Sequence, residues 1–422
     1  MSLLIQSAQI IDPSSPFHGE RKNVFIKKGL IQQISDELIE ADTVIKSNNL
    51  KLSPGWMDFR AFLAEPGFEH LETIASGTQA AAQGGFTALA CMPNTNPTIQ
   101  NKEVVRSLKS GNEFRVTDVF PIAALSKNTK GKELTELLDL HTAAGVTVFG
   151  DGNKAIANTS LLVKALQYNQ LTNCLTIDFP QDETLFEGCQ VHESIQSTTL
   201  GLKSSPAFHE TIRINRDIEI LRYTGGRLHL SNISTKEGVN LIREAKAEGL
   251  QLSCDVAISH LAFNELMLLD FDTNAKVNPP LRELEDQIAL WNAVFDGTID
   301  VIASNHLPSD EEGKKLEFDL ADFGMSSLEV FLPMLLNTAP IKKWDRIYDA
   351  IVKNPRKLTQ LPVPQIKEGE QANITLFDDS QEWEYNASFA ASLSKNSPLY
   401  AQKLKGKIIA TIKGENQYIN HV

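Results

Sequence analysis

A chain of 422 residues with 42% hydrophobic content is long enough to bury one large core and a smaller one beside it. Its net charge of −13 argues against nucleic acid or an anionic membrane as partner. Four scattered cysteines (Cys91, Cys174, Cys189, Cys254), an N-terminal stretch M-S-L-L-I-Q-S-A-Q-I-I-D without a basic n-region, and no apolar run near the roughly 20 residues of a membrane span together predict a reduced, cytoplasmic protein.

From Leu3 to Leu52 short apolar alternation is punctuated by turns, in L-L-I-Q-S-A-Q-I-I, N-V-F-I-K-K-G-L-I-Q-Q-I and D-T-V-I-K, with Lys28-Gly29 as a hairpin turn. After Gln365 the pattern returns in I-K-E-G-E-Q-A-N-I-T-L-F-D and K-G-K-I-I-A-T-I-K-G. Two β-rich ends around a long α/β middle predict one discontinuous β-sandwich domain, 1–52 plus 363–422. Between them, over 53–362, strands such as F-T-A-L-A-C-M, G-V-T-V-F, C-L-T-I-D-F, G-R-L-H-L-S-N, L-Q-L-S-C-D-V and I-D-V-I-A-S-N alternate with helical stretches, among them Thr159 to Tyr168 and Lys236 to Glu248. With no G-x-G-x-x-G after the first strand, the count favours a (β/α)8 TIM barrel over an open doubly wound sheet. The charged run D-E-E-G-K-K from Asp310 reads as a solvated loop.

The stretch S-P-G-W-M-D-F-R-A-F-L-A-E-P-G, Ser53 to Gly67, has the frame of a metal-binding first barrel strand, in Pro54, Gly55, Asp58, Pro66 and Gly67. It resembles that strand in the cyclic amidohydrolases, and in dihydroorotases in particular, whose pattern is P-G-x-x-D-x-H-x-H-x-R-x-P-G. The resemblance runs almost the whole chain. It is carried by Gly77 to Thr87, M-P-N-T-x-P from Met92, I-S-T-K-E from Ile233, N-P-P-L-R from Asn278, D-G-T-I-D from Asp296 and F-G-x-x-x-L-E from Phe323. The nearest match is the class of dihydroorotases that works with aspartate carbamoyltransferase.

That resemblance implies a site at the C-terminal ends of the strands, with zinc in active relatives. A metal-bound hydroxide attacks the cyclic amide there, and an aspartate after the last strand moves the proton. On this chain the two strand-one histidine positions read Arg60 and Phe62. A guanidinium offers only donors, and a phenyl ring has no lone pair. The bridging acid is kept as Asp151 in Gly150-Asp151-Gly152. Phe179 stands at the next histidine, in a register set by Asp182 and Leu185; a slip of one residue would turn Asp178 inward instead. Asn232 and Asn305 replace a histidine and the catalytic aspartate, Ala64 replaces the arginine that grips the substrate carboxylate, and Ser309 replaces a substrate-binding histidine. Asn94 and Asn278 persist as remnants of the substrate pocket.

A single carboxylate does not hold a catalytic zinc, which takes three or more protein ligands, so no metal cofactor is expected. The remaining histidines, His18, His70, His141, His192, His209, His229, His260, His306 and His421, are dispersed, and His260, His306, Asp58 and Asp178 read as structural. No catalytic residue is expected, and no Ser-His-Asp spacing, G-x-S-x-G elbow or Walker loop points to another chemistry. A buried Asp151 without its ion needs compensation, and Arg60 is the expected cation. Phe62 and Phe179 are expected to fill the vacated volume, with Asn232 and Asn305 satisfying each other or water. The sequence therefore reads first as a catalytically silent dihydroorotase homologue of pyrimidine biosynthesis, a pseudoenzyme acting as structural or regulatory partner of aspartate carbamoyltransferase, with a homodimer as the family's default. The alternatives are an active dihydroorotase with an atypical site, and a metal-free small-molecule binding protein that uses Asn94 and Asn278.

Overall fold

The computed structural model describes residues 2–339 and 343–420, so His421 lies outside the described residues. Both chain ends build one sheet, to which the N-terminal part contributes Ser2–Ile10, Arg21–Lys27, Leu30–Ser35, Thr43–Ile45 and Leu50–Pro54. The C-terminal part adds Asn373–Glu384, Lys403–Lys413 and Asn416–Ile419, and the halves are joined where Asn373–Glu384 pairs antiparallel with Leu50–Pro54. Lys28 and Gly29, at φ 52° and 71°, make the hairpin turn between paired Lys27 and Leu30. Two successive left-handed residues match the twist of the flanking strands. Inward residues of this sheet, among them Ile5, Ile10, Val24, Leu52, Ile374 and Ile412, close a core of their own.

The middle of the chain is a ring of eight parallel strands. In order they are Trp56–Ala61, Phe86–Cys91, Asp118–Pro121, Val148–Gly150, Leu175–Asp178, Arg227–Leu230, Leu252–Ala257 and Val301–Ala303. Hydrogen-bonded pairs join the first three and the last five. Parallel bridges Ala123 to Phe149 and Ala61 to His306 complete the circle. The interior is packed with Met57, Phe59, Ala88, Ile122, Val148, Ile177 and Val301, while Trp56, Leu89, Leu228 and Val256 face the surrounding helices. Strands buried on both faces account for the near-continuous apolar runs in the sequence. The two helical stretches read from periodicity are helices Thr159–Gln170 and Lys236–Ala247, each opened by a capping side chain, Asn158 and Thr235.

Two stretches differ from the sequence reading. The D-E-E-G-K-K run forms a short helix, Glu311–Lys314, whose Lys314 is buried. Its Nζ donates to the carbonyls of Thr273 (2.9 Å) and Asp322 (2.7 Å), and burial pulls its pKa down to about 7. Four carbons of stem let a lysine reach inward from a charged run wherever carbonyls collect to receive it. The chain from Tyr385 to Gln402 leaves the sheet and lies on the barrel: Asn396 donates to Leu307 O and accepts from Ser309 N, and Tyr385 OH reaches Glu329. Among the described residues no helix is long and apolar enough to cross a membrane.

Candidate functional site

The C-terminal ends of the eight strands converge on Arg60. A register shift between Asp58 and Ala61 in the first strand lets Phe59 pack in the barrel interior while the next residue, Arg60, also reaches across the mouth. Strict alternation would send the two to opposite faces. The guanidinium donates through Nε to Asn305 Oδ1, through Nη1 to Ser231 Oγ and through Nη2 to Gly152 O, each at 3.0 Å. Those partners follow the eighth, sixth and fourth strands, so one side chain ties three sectors of the barrel together. The ring of Phe179 lies 5.7 Å from the guanidinium carbon. Burial pushes the Arg60 pKa down, and the charges of Asp255 and Asp58 oppose that shift.

Asp151 is not the partner of Arg60. Its carboxylate accepts from Ser126 N at 2.8 Å and from Ser126 Oγ, while every Arg60 hydrogen bond goes elsewhere. Desolvation, with Asp178 adding to it, raises Asp151 to about 6, so protonation and Ser126 relieve the buried acid where a fixed cation was expected. The turn after Asp151 needs Gly152: at φ 68° a Cβ there would stand 1.7 Å from Asn94 Oδ1. Asn94 is occupied with this turn, donating to Asp151 O (3.0 Å) and accepting from Asn153 N (3.3 Å).

Asn232 and Asn305 do not satisfy each other either. Asn305 accepts from Arg60, whereas both amide atoms of the buried Asn232 lack a hydrogen-bond partner among the described residues, as does Asn278 Oδ1. Ala64, Asn232 and Asn305 have φ of 60°, 54° and 48°, so the chain leaves the first, sixth and eighth strands through left-handed residues. Asparagine tolerates that conformation better than most residues. Phe62 packs away from Arg60, in a small cluster with Ala64, Met92, Phe68, Leu71 and Leu307. Of the two phenylalanines only Phe179 lies against the guanidinium. Asp178 is directed outward, taking hydrogen bonds from Ile156 N and Arg216 Nη2, both at 2.8 Å.

Asp58 fastens the first strand to the eighth through Ser304 N (2.6 Å) and Ser304 Oγ (2.7 Å), and burial raises it to about 6. His306 accepts from Ser327 N at Nδ1, which leaves Nε2 to carry its proton toward Glu72 at 3.5 Å. Ser309, at the position where the family pattern has a substrate-binding histidine, hydrogen-bonds Asn396 through its N–H. His260 Nε2 sits 3.1 Å from Pro279 O, and burial lowers its pKa to about 4.

Sequence reasoning missed a second layer below Arg60. The His229 ring lies 4.8 Å from that of Phe59, tilted by 58°, and it pairs with Asp255 Oδ2 at 2.9 Å, while its other nitrogen meets Ser253 Oγ at 2.8 Å. Asp255 also accepts from Asn232 N at 2.8 Å. The signal was the polar alternation in strands six and seven, His229 with Ser231 and Ser253 with Asp255, which sends both pairs to one face. Both His229 nitrogens are engaged, so the ring has no lone pair to offer an ion. Among the described residues no group of three or more His, Cys, Asp or Glu side chains is arranged to hold a metal ion. At the six positions that the family pattern assigns to ligands and base stand a guanidinium, two phenyl rings, two amides and the one carboxylate of Asp151, a donor set that does not fit zinc.

Residues 50–238 match the family model described as Dihydro-orotase-like. The chain is 38% identical over 418 residues to the dihydroorotase of Pelotomaculum thermopropionicum, covering 98% of this chain and 97% of that one. It is 35% identical over 420 residues to the dihydroorotase of Acetivibrio thermocellus, covering 98% of each. Among solved structures, the L-hydantoinase (dihydropyrimidinase) of Arthrobacter aurescens superposes with a TM-score of 0.84 at 22% identity, over 99% of this chain and 96% of that one. That superposition spans both the barrel and the sheet, so the two chains share one fold.

Proposed function

Since the chain belongs to the dihydroorotase family, we propose that it is a catalytically silent member of pyrimidine biosynthesis, a homodimer that acts as structural or regulatory partner of aspartate carbamoyltransferase. The observation that carries this reading is the Arg60 knot. A permanently charged donor is hydrogen-bonded to Asn305, Ser231 and Gly152 O, at the place where active relatives need electron-pair donors for a cation. A second cation beside that guanidinium would be repelled in a medium that screens poorly. Asn305 has no basicity with which to take the proton that an aspartate would accept, and its amide oxygen is already engaged. The barrel and the sheet each keep a large buried apolar core, which is what a scaffold requires.

The test is elemental analysis of the purified protein together with dihydroorotate turnover, with and without added zinc. The expected result is zinc far below one per chain, no turnover in either condition, and co-elution with aspartate carbamoyltransferase on size exclusion. Stoichiometric zinc with turnover would overturn the silent reading and establish an amidohydrolase with a rebuilt site. Failure to co-elute would overturn the partner role.

A further inference from the structure

On the outer rim of the barrel the segments 264–272 and 282–288 run side by side: Glu265 N donates to Arg282 O at 2.8 Å, and Asn264 Nδ2 to Gln287 Oε1 at 3.2 Å. A third segment, 314–322, joins them where Thr273 Oγ1 donates to Lys314 O at 2.7 Å and the rings of Phe271 and Phe318 stand 6.3 Å apart. From these segments Leu266, Leu269, Phe271, Leu284, Ile288 and Leu320 reach into solvent, six large apolar side chains between 45% and 64% exposed. Single exposed leucines are ordinary, but six on adjoining segments leave several hundred Å² of apolar surface, the size at which a patch marks an interaction site. The rest of the sector is acidic. Asp270, Glu283, Glu317 and Asp319 are exposed between the apolar residues and have no ion pair among the described residues. Lys236 and Lys315, cations of the same sector, are already paired with Glu285 and Glu311 at 3.3 and 2.6 Å. Beside Leu320 opens a cleft of 670 Å³, lined by Glu183, Glu187, Asp319 and Asp322. Its one lining cation, Lys276, is engaged, donating to the carbonyls of Phe318 (2.7 Å), Asp319 (3.1 Å) and Ala321 (2.6 Å). Gln181, 6% exposed, also lines the cleft, and its Oε1 has no hydrogen-bond partner among the described residues.

We propose that this sector docks an amphipathic helix with a basic polar face, carried by a partner protein. The helix lays its apolar side against the six exposed side chains, and its lysines or arginines meet the acids between them. One of those cations enters the cleft, where the carboxylates and the amide of Gln181 accept from it. A second copy of this chain is the poorer occupant, because two such faces bring like charges together. The inference deepens the partner role proposed above and rests on it only for the existence of a partner. What it adds is the face and the chemistry of the contact. The peptide titration that tests it needs no aspartate carbamoyltransferase, so its failure and a failure to co-elute are separate results.

Fluorescence anisotropy of a labelled peptide added to the full chain is the test. The probe has about 18 residues, with leucine at i, i+3, i+4 and i+7 and lysine on the remaining face. One comparison peptide carries glutamate in place of lysine, and another carries serine in place of leucine. The probe is expected to bind with Kd below about 10 μM, and both comparison peptides at least about tenfold weaker. Leu320→Ser and Asp319→Lys, at exposed positions, are each expected to weaken the probe about fivefold or more. Leu38→Ser and Glu40→Lys make the same changes at exposed positions of the sheet and are expected to leave binding unchanged. No binding at about 100 μM, equal binding of either comparison peptide, or equal losses from the sheet variants would overturn the proposal. So would sedimentation velocity in which Leu320→Ser splits a dimer into monomers, since that result gives the face to a second copy.

Discussion

Two of the buried arginines, Arg60 at 4% and Arg282 at 2% exposure, are held in different ways. Arg282, in the N-P-P-L-R motif, lies 3.7 Å from the carboxylate of Glu210. It also donates to Ser234 Oγ (3.0 Å), His192 Nδ1 (3.0 Å) and His209 Nε2 (3.4 Å). Glu210 in turn is surrounded by donors from Ser234 and Thr235. Arg60, by contrast, has only neutral partners within hydrogen-bonding distance, and beside it Asn232 keeps two unpartnered amide atoms. The first is a closed charge pair with every group answered. The second is a charge set among groups that were in reach, in the one part of the barrel where the family pattern is broken.

The sharpest way to break that distinction is to remove each charge while keeping the volume. Arg282→Met strands a buried Glu210 without a cation and leaves two imidazole acceptors without donors, so a loss of about 3–5 kcal/mol is expected. Arg60→Met strands only a hydroxyl, an amide oxygen and a carbonyl, and it relieves the desolvation of the guanidinium. The expected loss is about 1–2 kcal/mol. Urea denaturation of both variants reads the order directly. Equal losses would mean that Arg60 is as deeply built into the fold as Arg282, through the longer-range charges of Asp58 and Asp255.

The same contrast marks how far the sequence can be read. Six of the eight barrel strands and both end segments of the sheet stood out because apolar alternation and turn residues report burial directly. The third strand, Asp118–Pro121, is only four residues long, and it left no such trace. Loss of the ligand side chains was equally legible, since it needs only residue identity in a frame. The geometry that replaced them was not. The shift between Asp58 and Ala61 carries no residue signature, so Arg60 was paired with the wrong neighbour. Ser126, which answers Asp151, lies 25 residues away in sequence with nothing to announce it. Lys314 looked like one charge in a solvated run because its carbonyl acceptors belong to the backbone of distant loops.

The smaller effect concerns pH, and here buried imidazoles and buried carboxyls oppose each other. Burial and Arg282 lower His192 to about 4 and His209 to about 3, and burial lowers His260 to about 4. Their folded pKa values lie below the unfolded value of 6.5, so their contribution is fully present above pH 6.5 and is lost as pH falls toward 4 and 3. Burial raises Asp58, Asp151 and Asp286 to about 6, above their unfolded 3.8. Their contribution is fully present below pH 3.8 and is lost as pH rises through 6. Between pH 4 and 6 the imidazoles and carboxyls therefore pull in opposite directions, and a shallow net dependence is expected for the native chain. His209→Gln unbalances them. His209 faces Arg282 and His192, with Asp182 opposing them, and Ser205 Oγ lies 2.7 Å from its Nδ1. Glutamine fills much of that space and does not titrate. Relative to the native chain, the variant is expected to gain up to about 1.4 kcal/mol per pH unit as pH falls from 6.5 toward 4. Urea unfolding at pH 4.5, 5.5 and 6.5 measures that slope. A difference between the two proteins that stays constant with pH would mean that His209 is protonated beside Arg282 in the folded state, and that the guanidinium and the imidazole do not meet as donor and acceptor.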